Sequence, residues 1–156
     1  LILSTGGVSV GEEDHVKSAV EHLGEIDLWK LAIKPGKPMA FGHVLGKPFF
    51  GLPGNPVSTF VTFLIVARPY LLAMQGAAEF RSESIMIPAA FSFSGGSRRE
   101  YLRVRIIETE AGEPCLERFA NQGSGIMTSV AWADGLAEID IGQEVSAGDR
   151  LRFYKI

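Results

Sequence analysis

The chain has 156 residues, with 15 Lys plus Arg against 18 Asp plus Glu, for a formal charge of −3. That balance argues against nucleic acid as the main partner, since phosphate-backbone binders carry a basic excess, and 46% apolar with 21% charged residues argues against a disordered chain. The single cysteine, Cys115, excludes an internal disulfide and a cysteine-rich metal site, fits a reducing compartment, and has no nearby His to make it a nucleophile.

The chain opens on an apolar run, Leu1 to Ser4, which reads as a buried strand. No basic n-region or cleavage pattern marks a signal peptide. A start inside a strand suggests a piece of something longer. TGGVSVG reads as a glycine-rich turn. Glu12 to Leu23 reads as a helix with Val16, Ala19, Val20 and Leu23 on one face, stopped by Gly24. Ile26 to Ile33 is strand-like, and KPGKP reads as a rigid extended loop. Met39 to Val44 and Pro48 to Leu52 read as strands joined at Gly46. A helix from about Pro56 to Met74 follows, apolar nearly all round. A membrane span is set aside because Arg68 and Pro69 interrupt the run short of the roughly 20 apolar residues a bilayer needs.

The composition then changes. Residues 1–77 carry 6 basic and 6 acidic side chains, and 78–156 carry 9 and 12. Helical periodicity fades after the seam. Ser84 to Phe93, Tyr101 to Ile107, Leu116 to Ala120, Ala137 to Ile141 and Leu151 to Ile156 read as short strands, with one helix at Ile126 to Ala133. The expected organisation is an α/β domain over residues 1–77 and a small all-β barrel over 78–156.

Several segments have chemical potential. Thr5-Gly6-Gly7-Val8-Ser9-Val10-Gly11 joins a strand to a helix. Its glycines allow close approach of backbone N–H groups to an anion, and Thr5 and Ser9 add hydroxyls. A purely structural βα turn explains the same residues. Glu12, Glu13 and Asp14 either complement the helix dipole, by about 0.3–1 kcal/mol each, or Asp14 holds Mg²⁺ beside the cradle. On an uninterrupted strand Lys30 and Lys34 share a face about 13 Å apart. Pro35 holds Lys34 extended, and Lys37 continues the basic rim. A solvated strand face is the competing reading. In Leu52-Pro53-Gly54-Asn55-Pro56-Val57-Ser58, Asn55 suits an N-cap and Pro56 the first helical position. Gly54 shapes the turn, and Ser58 brings a hydroxyl to a second helix start. The histidines His15, His22 and His43 are too scattered to suggest a metal site.

TGGVSVGEEDHVK, WKLAIKPGKPMAFG and GLPGNPVSTFVTF, in that order, resemble the third domain of molybdopterin molybdenumtransferases, the MoeA / gephyrin E-domain family. SRREYLRV and GSGIMTSVAWADGLAEI resemble its C-terminal barrel. The resemblance implies a partial molybdopterin-binding three-layer domain followed by a small all-β barrel. It implies a Mg²⁺-dependent cytoplasmic transferase in molybdenum cofactor biosynthesis. Such an enzyme inserts molybdate into adenylylated molybdopterin and releases AMP. It also implies a homodimer whose cleft is shared between subunits, other cofactor-biosynthesis proteins as further partners, and neither nucleic acid nor membrane.

Carried over by motif, the metal ligand is Asp14, and Lys30 and Lys34 join it in catalysis. Substrate contacts fall on Thr5, Gly6, Gly7, Ser9, Gly11, Pro35, Pro53, Gly54, Asn55, Pro56, Ser58, Arg98 and Ser129, with Arg99 an alternative to Arg98. Thr5 stands where the family often has Ser. The family's N-terminal domains, and an upstream aspartate of the same site, are outside this sequence, so the chain alone is expected to lack catalysis. Three other functions compete: a molybdopterin adenylyltransferase-like domain, a non-catalytic scaffold or interaction module, and a nucleotide-binding regulatory domain.

Overall fold

The computed structural model describes residues 1–8 and 15–156. They divide into two compact units, Leu1–Leu31 with Pro35–Phe80, and Ala32–Lys34 with Arg81–Ile156. The crossing of Ala32–Lys34 into the second unit is invisible to a single cut in the sequence.

The first unit holds strands β1 (Ile2–Thr5) and β2 (Gly24–Trp29), with helix α1 (His15–Leu23) between them; the short β3 (Ile33–Lys34) belongs to the second unit. Strands β4 (Ala40–Val44) and β5 (Lys47–Leu52) complete a sheet in the order β1-β5-β4-β2. The β1–β5 pair is parallel and the others are antiparallel. Leu45 (φ 49°) and Gly46 (φ 71°) make the β4–β5 turn. Two successive positive φ values match the twist of a tight hairpin.

Alternation along β4 and β5 splits the core in two. Ala40, Val44 and Phe49 pack with Val8 and with Val20 of α1. Phe50, Leu52 and Met39 pack on the other side with Phe41, Phe63, Ala67 and Tyr70. The unit is thus a sheet between two helical layers. Rings of Phe41, Phe50 and Tyr70 meet at centroid distances of 4.8, 5.5 and 5.1 Å. Such pairs add about 0.5–1.5 kcal/mol each beyond area burial. The buried stripe of α1 is narrower than its periodicity suggests: Val20 is buried and Val16 half-buried, while Ala19 and Leu23 are exposed. Of this nine-residue helix, about two and a half turns long, the Val16–Val20 turn packs on the sheet.

The long helix does not stop at Arg68 and Pro69. Helix α2 (Pro56–Thr62) passes through a π turn (Phe63–Ala67) into α3 (Arg68–Met74). The Arg68 N–H bonds to the Phe63 carbonyl, one residue further back than in an α-helix. A wider turn ahead of Pro69 accommodates its ring and missing N–H without a break. By length and composition alone Pro56–Met74 is apolar enough to cross a membrane. In this unit its Val57, Val61 and Ala67 are fully buried, and Ala67 packs with Phe50 and Leu52 of the sheet.

The second unit adds β6 (Ile85–Pro88), β7 (Phe93–Ser94), β8 (Arg99–Glu108), β9 (Pro114–Arg118), helix α4 (Thr128–Trp132), β10 (Gly135–Ile139), β11 (Glu144–Val145) and β12 (Arg150–Lys155). Its main sheet runs β3-β8-β10-β12-β6, with β9 also on β8, and β7 pairs β11 separately. Leu102, Val104, Leu116, Ala137, Ile139, Leu151 and Phe153 fill the core. Among the described residues there is no closed barrel, which corrects the sequence expectation. The strand path stays open, and only an isolated bridge between Ala89 and Leu116 spans from the β6 side to β9. A two-residue β3 and a separate β7–β11 ribbon leave too little ladder to close the sheet.

Candidate functional site

At the carboxyl ends of the parallel strands β1 and β5, two loops touch. The Gly6 N–H donates to the Leu52 carbonyl at 3.0 Å. Gly6 and Gly7 have φ of 78° and 69°, a region L side chains rarely enter. A Cβ built on Gly54 would stand 3.5 Å from the Gly6 Cα, so backbone faces backbone at this point. Beside the contact opens a cleft of about 480 Å³, lined by Leu3, Thr5, Gly54, Pro56, Thr59, Phe60 and Phe63. This is the end of an α/β sheet where ligands usually bind.

The helix start is built differently from the expectation. Pro56 is at the first helical position, but the Asn55 side chain makes no capping bond. The Thr59 N–H bonds the Asn55 carbonyl at 2.9 Å. The single Thr59 hydroxyl proton is shared between the carbonyls of Pro53 and Asn55, and so ties the loop to the helix. Ser58 is 4% exposed and does not line the cleft; of the two, Thr59 lines it. Reading PVST as a helix predicts this, because adjacent helical positions point about 100° apart. Ser9, Gly11 and Asp14 lie outside the described residues.

The lysine pair is not on one strand. β2 ends at Trp29, and Lys30 turns away with φ 90°. Its N–H bonds the Met39 carbonyl at 2.8 Å, and the Leu31 N–H bonds that of Lys37 at 3.0 Å. Pairing of β2 with β4 stops at Trp29↔Ala40. Without a neighbouring ladder the extended run is not held, and the alternation that put Lys30 and Lys34 on one face fails. Lys30 still closes β2 at the sheet end that carries Thr5 and Leu52, about 14 Å across three strand spacings from β1.

Lys34 and Pro35 fall on either side of the unit boundary. Lys34 pairs along β3 with Glu100 of β8, and its Nζ lies 3.0 Å from Glu100 Oε2. The lysine is half exposed and the carboxylate 5% exposed, so this ion pair has one buried partner. Arg98 Nη1 donates to the Ile33 carbonyl at 3.1 Å. Strand β3 thus joins Lys34 and Arg98 within the second unit. Arg99 is committed elsewhere, 3.3 Å from Glu138 and 2.8 Å from Asp140. These carboxylates, Glu138 foremost, hold its guanidinium pKa above the ordinary value.

Ser129 is fully buried. Its hydroxyl donates to the Ile126 carbonyl at 2.6 Å and accepts from Arg103 Nε at 3.1 Å. Arg103 was missed in the sequence, although it is a third basic residue in SRREYLRV. It is 1% exposed, and its other partners are the carbonyls of Gly123 (3.2 Å) and Tyr101 (3.5 Å). Burial pushes its pKa down to about 10. An inward arginine on a strand otherwise filled with Tyr, Leu and Val was the signal that could have found it.

Two family models match, "Probable molybdopterin binding domain" over residues 1–73 and "MoeA C-terminal region (domain IV)" over residues 87–156. The chain belongs to the MoeA family. Among curated relatives of this MoeA-family chain, a molybdopterin molybdenumtransferase from Haemophilus influenzae is 48% identical over 52% of the chain and 20% of the relative. The molybdenum cofactor synthesis protein cinnamon of Drosophila melanogaster is 40% identical over 88% of the chain and 23% of the relative. Molybdopterin molybdenumtransferase 2 of Mycobacterium tuberculosis is 32% identical over 100% of the chain and 40% of the relative. A crystal structure of a molybdopterin biosynthesis MoeA protein from Pyrococcus horikosii matches with a TM-score of 0.75 and 30% identity, over 99% of this chain and 37% of that one. The chain therefore spans only 20–40% of the length of these three curated relatives.

Proposed function

We propose that the chain is the carboxyl-terminal part of a molybdopterin molybdenumtransferase, which inserts molybdate into adenylylated molybdopterin and releases AMP. Membership of the MoeA family, within molybdenum cofactor biosynthesis, supports the reading. The observation that carries it is the meeting of the Gly6 and Gly54 loops at the carboxyl edge of β1 and β5. The Gly6–Leu52 bond brings the positive-φ Gly6-Gly7 turn against the loop that leads into α2 at Pro56, so the backbone N–H groups not used in that bond are the proposed donors to a phosphate. Thr5 adds a hydroxyl to the lining.

In this reading Lys30 supplies positive potential along the same sheet end, while Lys34 and Arg98 are candidate anion contacts of the second unit by themselves. Lysine acts there as a point charge and arginine as a fork for an oxyanion. Arg98, whose bond goes to a backbone carbonyl, keeps its charge for a ligand, whereas Arg99 faces two carboxylates. Mg²⁺, when bound, would neutralise charge at the scissile phosphoanhydride. Asp14, which lies outside the described residues, is the proposed ligand. The match to a MoeA C-terminal region favours the transferase over an adenylyltransferase-like domain.

The test is AMP release by the full-length protein from adenylylated molybdopterin, with and without molybdate and Mg²⁺. Molybdate-dependent release is expected, and Asp14→Asn should abolish its Mg²⁺ dependence while leaving the fold intact. Turnover at the wild-type rate in that variant refutes the metal role. Adenylylation of molybdopterin from ATP, with no molybdate effect, would put the adenylyltransferase reading in its place. Light scattering of the same preparation tests the proposed homodimer.

A further inference from the structure

We infer that Glu25, Asp27 and His43 form a surface site for a late first-row divalent cation such as Zn²⁺, separate from the cleft of the proposed function. The three residues sit toward the end of the sheet that carries the β4–β5 turn, opposite the Gly6 and Gly54 loops. Glu25 pairs directly with His43 across β2 and β4. The register then shifts between Ile26 and Leu28, which leaves Asp27 as the extra residue. A bulge re-aims the side chain it carries. This one brings Asp27 Oδ2 to 3.2 Å from His43 Nδ1. One ligand atom from each of the three residues lies within 4.8 Å of the other two.

The seat under this cluster is stiff. A Cβ on Gly24 would come within 1.8 Å of the His43 carbonyl oxygen, and one on Gly42 within 2.1 Å of the Glu25 carbonyl oxygen. The two strands approach too closely at both points for any side chain, so glycines flank the Glu25–His43 pair. The His43 ring also rests edge-on against Phe41, at 5.7 Å between centroids, which limits its rotation. A fixed imidazole with carboxylates on a rigid strand pair is what a preorganised metal site needs.

One imidazole nitrogen and two carboxylate oxygens select the ion. Mg²⁺ and Ca²⁺ take oxygen ligands, whereas Zn²⁺, Co²⁺ and Ni²⁺ accept the mixed set. Tetrahedral zinc with bonds near 2.0–2.1 Å spaces its ligand atoms by about 3.3 Å, so Glu25 must close by roughly 1.5 Å at most. Glu25 and Asp27 are exposed, so rotation of their side chains achieves this without moving the sheet. The open outer side leaves water to complete the shell. The sequence hid this site, because the ligands come from two strands and the histidine has no second histidine beside it.

The inference does not depend on the transferase activity, and its test needs no substrate. The whole chain is titrated with Zn²⁺ by calorimetry, and with Co²⁺ by visible absorption. One saturable equivalent is expected, with a Co²⁺ band that Zn²⁺ removes and Mg²⁺ does not. His43→Gln and Asp27→Asn should each weaken binding by at least about tenfold, while circular dichroism stays unchanged. His22→Gln, at an exposed histidine of α1, should leave the affinity as it was. Absence of saturable binding, or binding that survives His43→Gln, overturns the site. Loss of binding in His22→Gln overturns it too, because the ion would then sit on the helix.

Discussion

The two units of the chain present charge-binding chemistry in opposite ways. In the first, the sheet edge offers backbone: Gly6 and Gly54 lie against each other, and the threonines that line the cleft are neutral. In the second, charged side chains are numerous, and three of the cations face carboxylates of the same unit. Lys34 faces Glu100, Arg99 faces Glu138 and Asp140, and Arg105 faces Glu117 at 2.6 Å. Arg103 differs, since its partners are all neutral. Amides fixed by turn geometry present partial positive charge at little desolvation cost. A guanidinium taken out of water costs free energy until something balances it. A glycine loop without charged side chains is thus a candidate anion site, while an arginine can be held by the carboxylates or carbonyls of its own unit.

The largest effect expected from breaking this contrast is at Arg103. Arg103→Ala removes a fully buried side chain and orphans the Gly123 carbonyl and a Ser129 hydroxyl bond. It should destabilise the second unit by about 3 kcal/mol in urea denaturation. A change under about 1 kcal/mol would mean that the buried charge costs as much as its bonds return. Next is Gly6→Val. A β-branched residue at φ 78° should cost about 2 kcal/mol. In the full-length protein it should also weaken substrate binding more than Gly46→Ala does at the distant hairpin, as a binding isotherm would read.

The Lys34–Glu100 pair should show a smaller coupling. Lys34 is half exposed, so solvent screens it, and a double-mutant cycle of Lys34→Ala with Glu100→Gln should give about 1 kcal/mol. Zero coupling would leave Lys34 wholly available to a ligand. The smallest effect near neutral pH belongs to Tyr154. Burial, then its bond to Glu138 at 2.6 Å, pushes its pKa from 10.0 up to about 12. The folded state therefore keeps a proton that the unfolded state sheds. The resulting stability is full below pH 10 and is lost as pH rises from 10 to 12. Tyr154→Phe should remove that slope, so the gap between wild type and variant should narrow across this window in pH-dependent melting.

Local signals in the sequence recovered most elements. Met39 to Val44 and Pro48 to Leu52 read as strands joined at Gly46, and β4 and β5 stand there. The main strands of the second unit carried clear turn residues at their ends. The signals failed where an element depends on a neighbour. Lys30 lies in a run of strand-like residues, yet β4 supplies no partner beyond Ala40 and the strand ends. Two-residue strands such as β3, β7 and β11 have no periodicity to read. Ser58 and Thr59 are interchangeable by type, and only the roll of the helix decides which reaches the cleft.

The sequence by itself determined the glycine loops, the strands that feed them and the family to which they belong, because turn conformation and alternation are properties of a few consecutive residues. Only the tertiary structure decided that Gly6 meets Gly54, that Lys34 is claimed by Glu100 and that Glu25, Asp27 and His43 share one spot. Each of those depends on register between strands distant in the chain. Register is set by how the whole sheet packs its two faces, which no short window of residues contains.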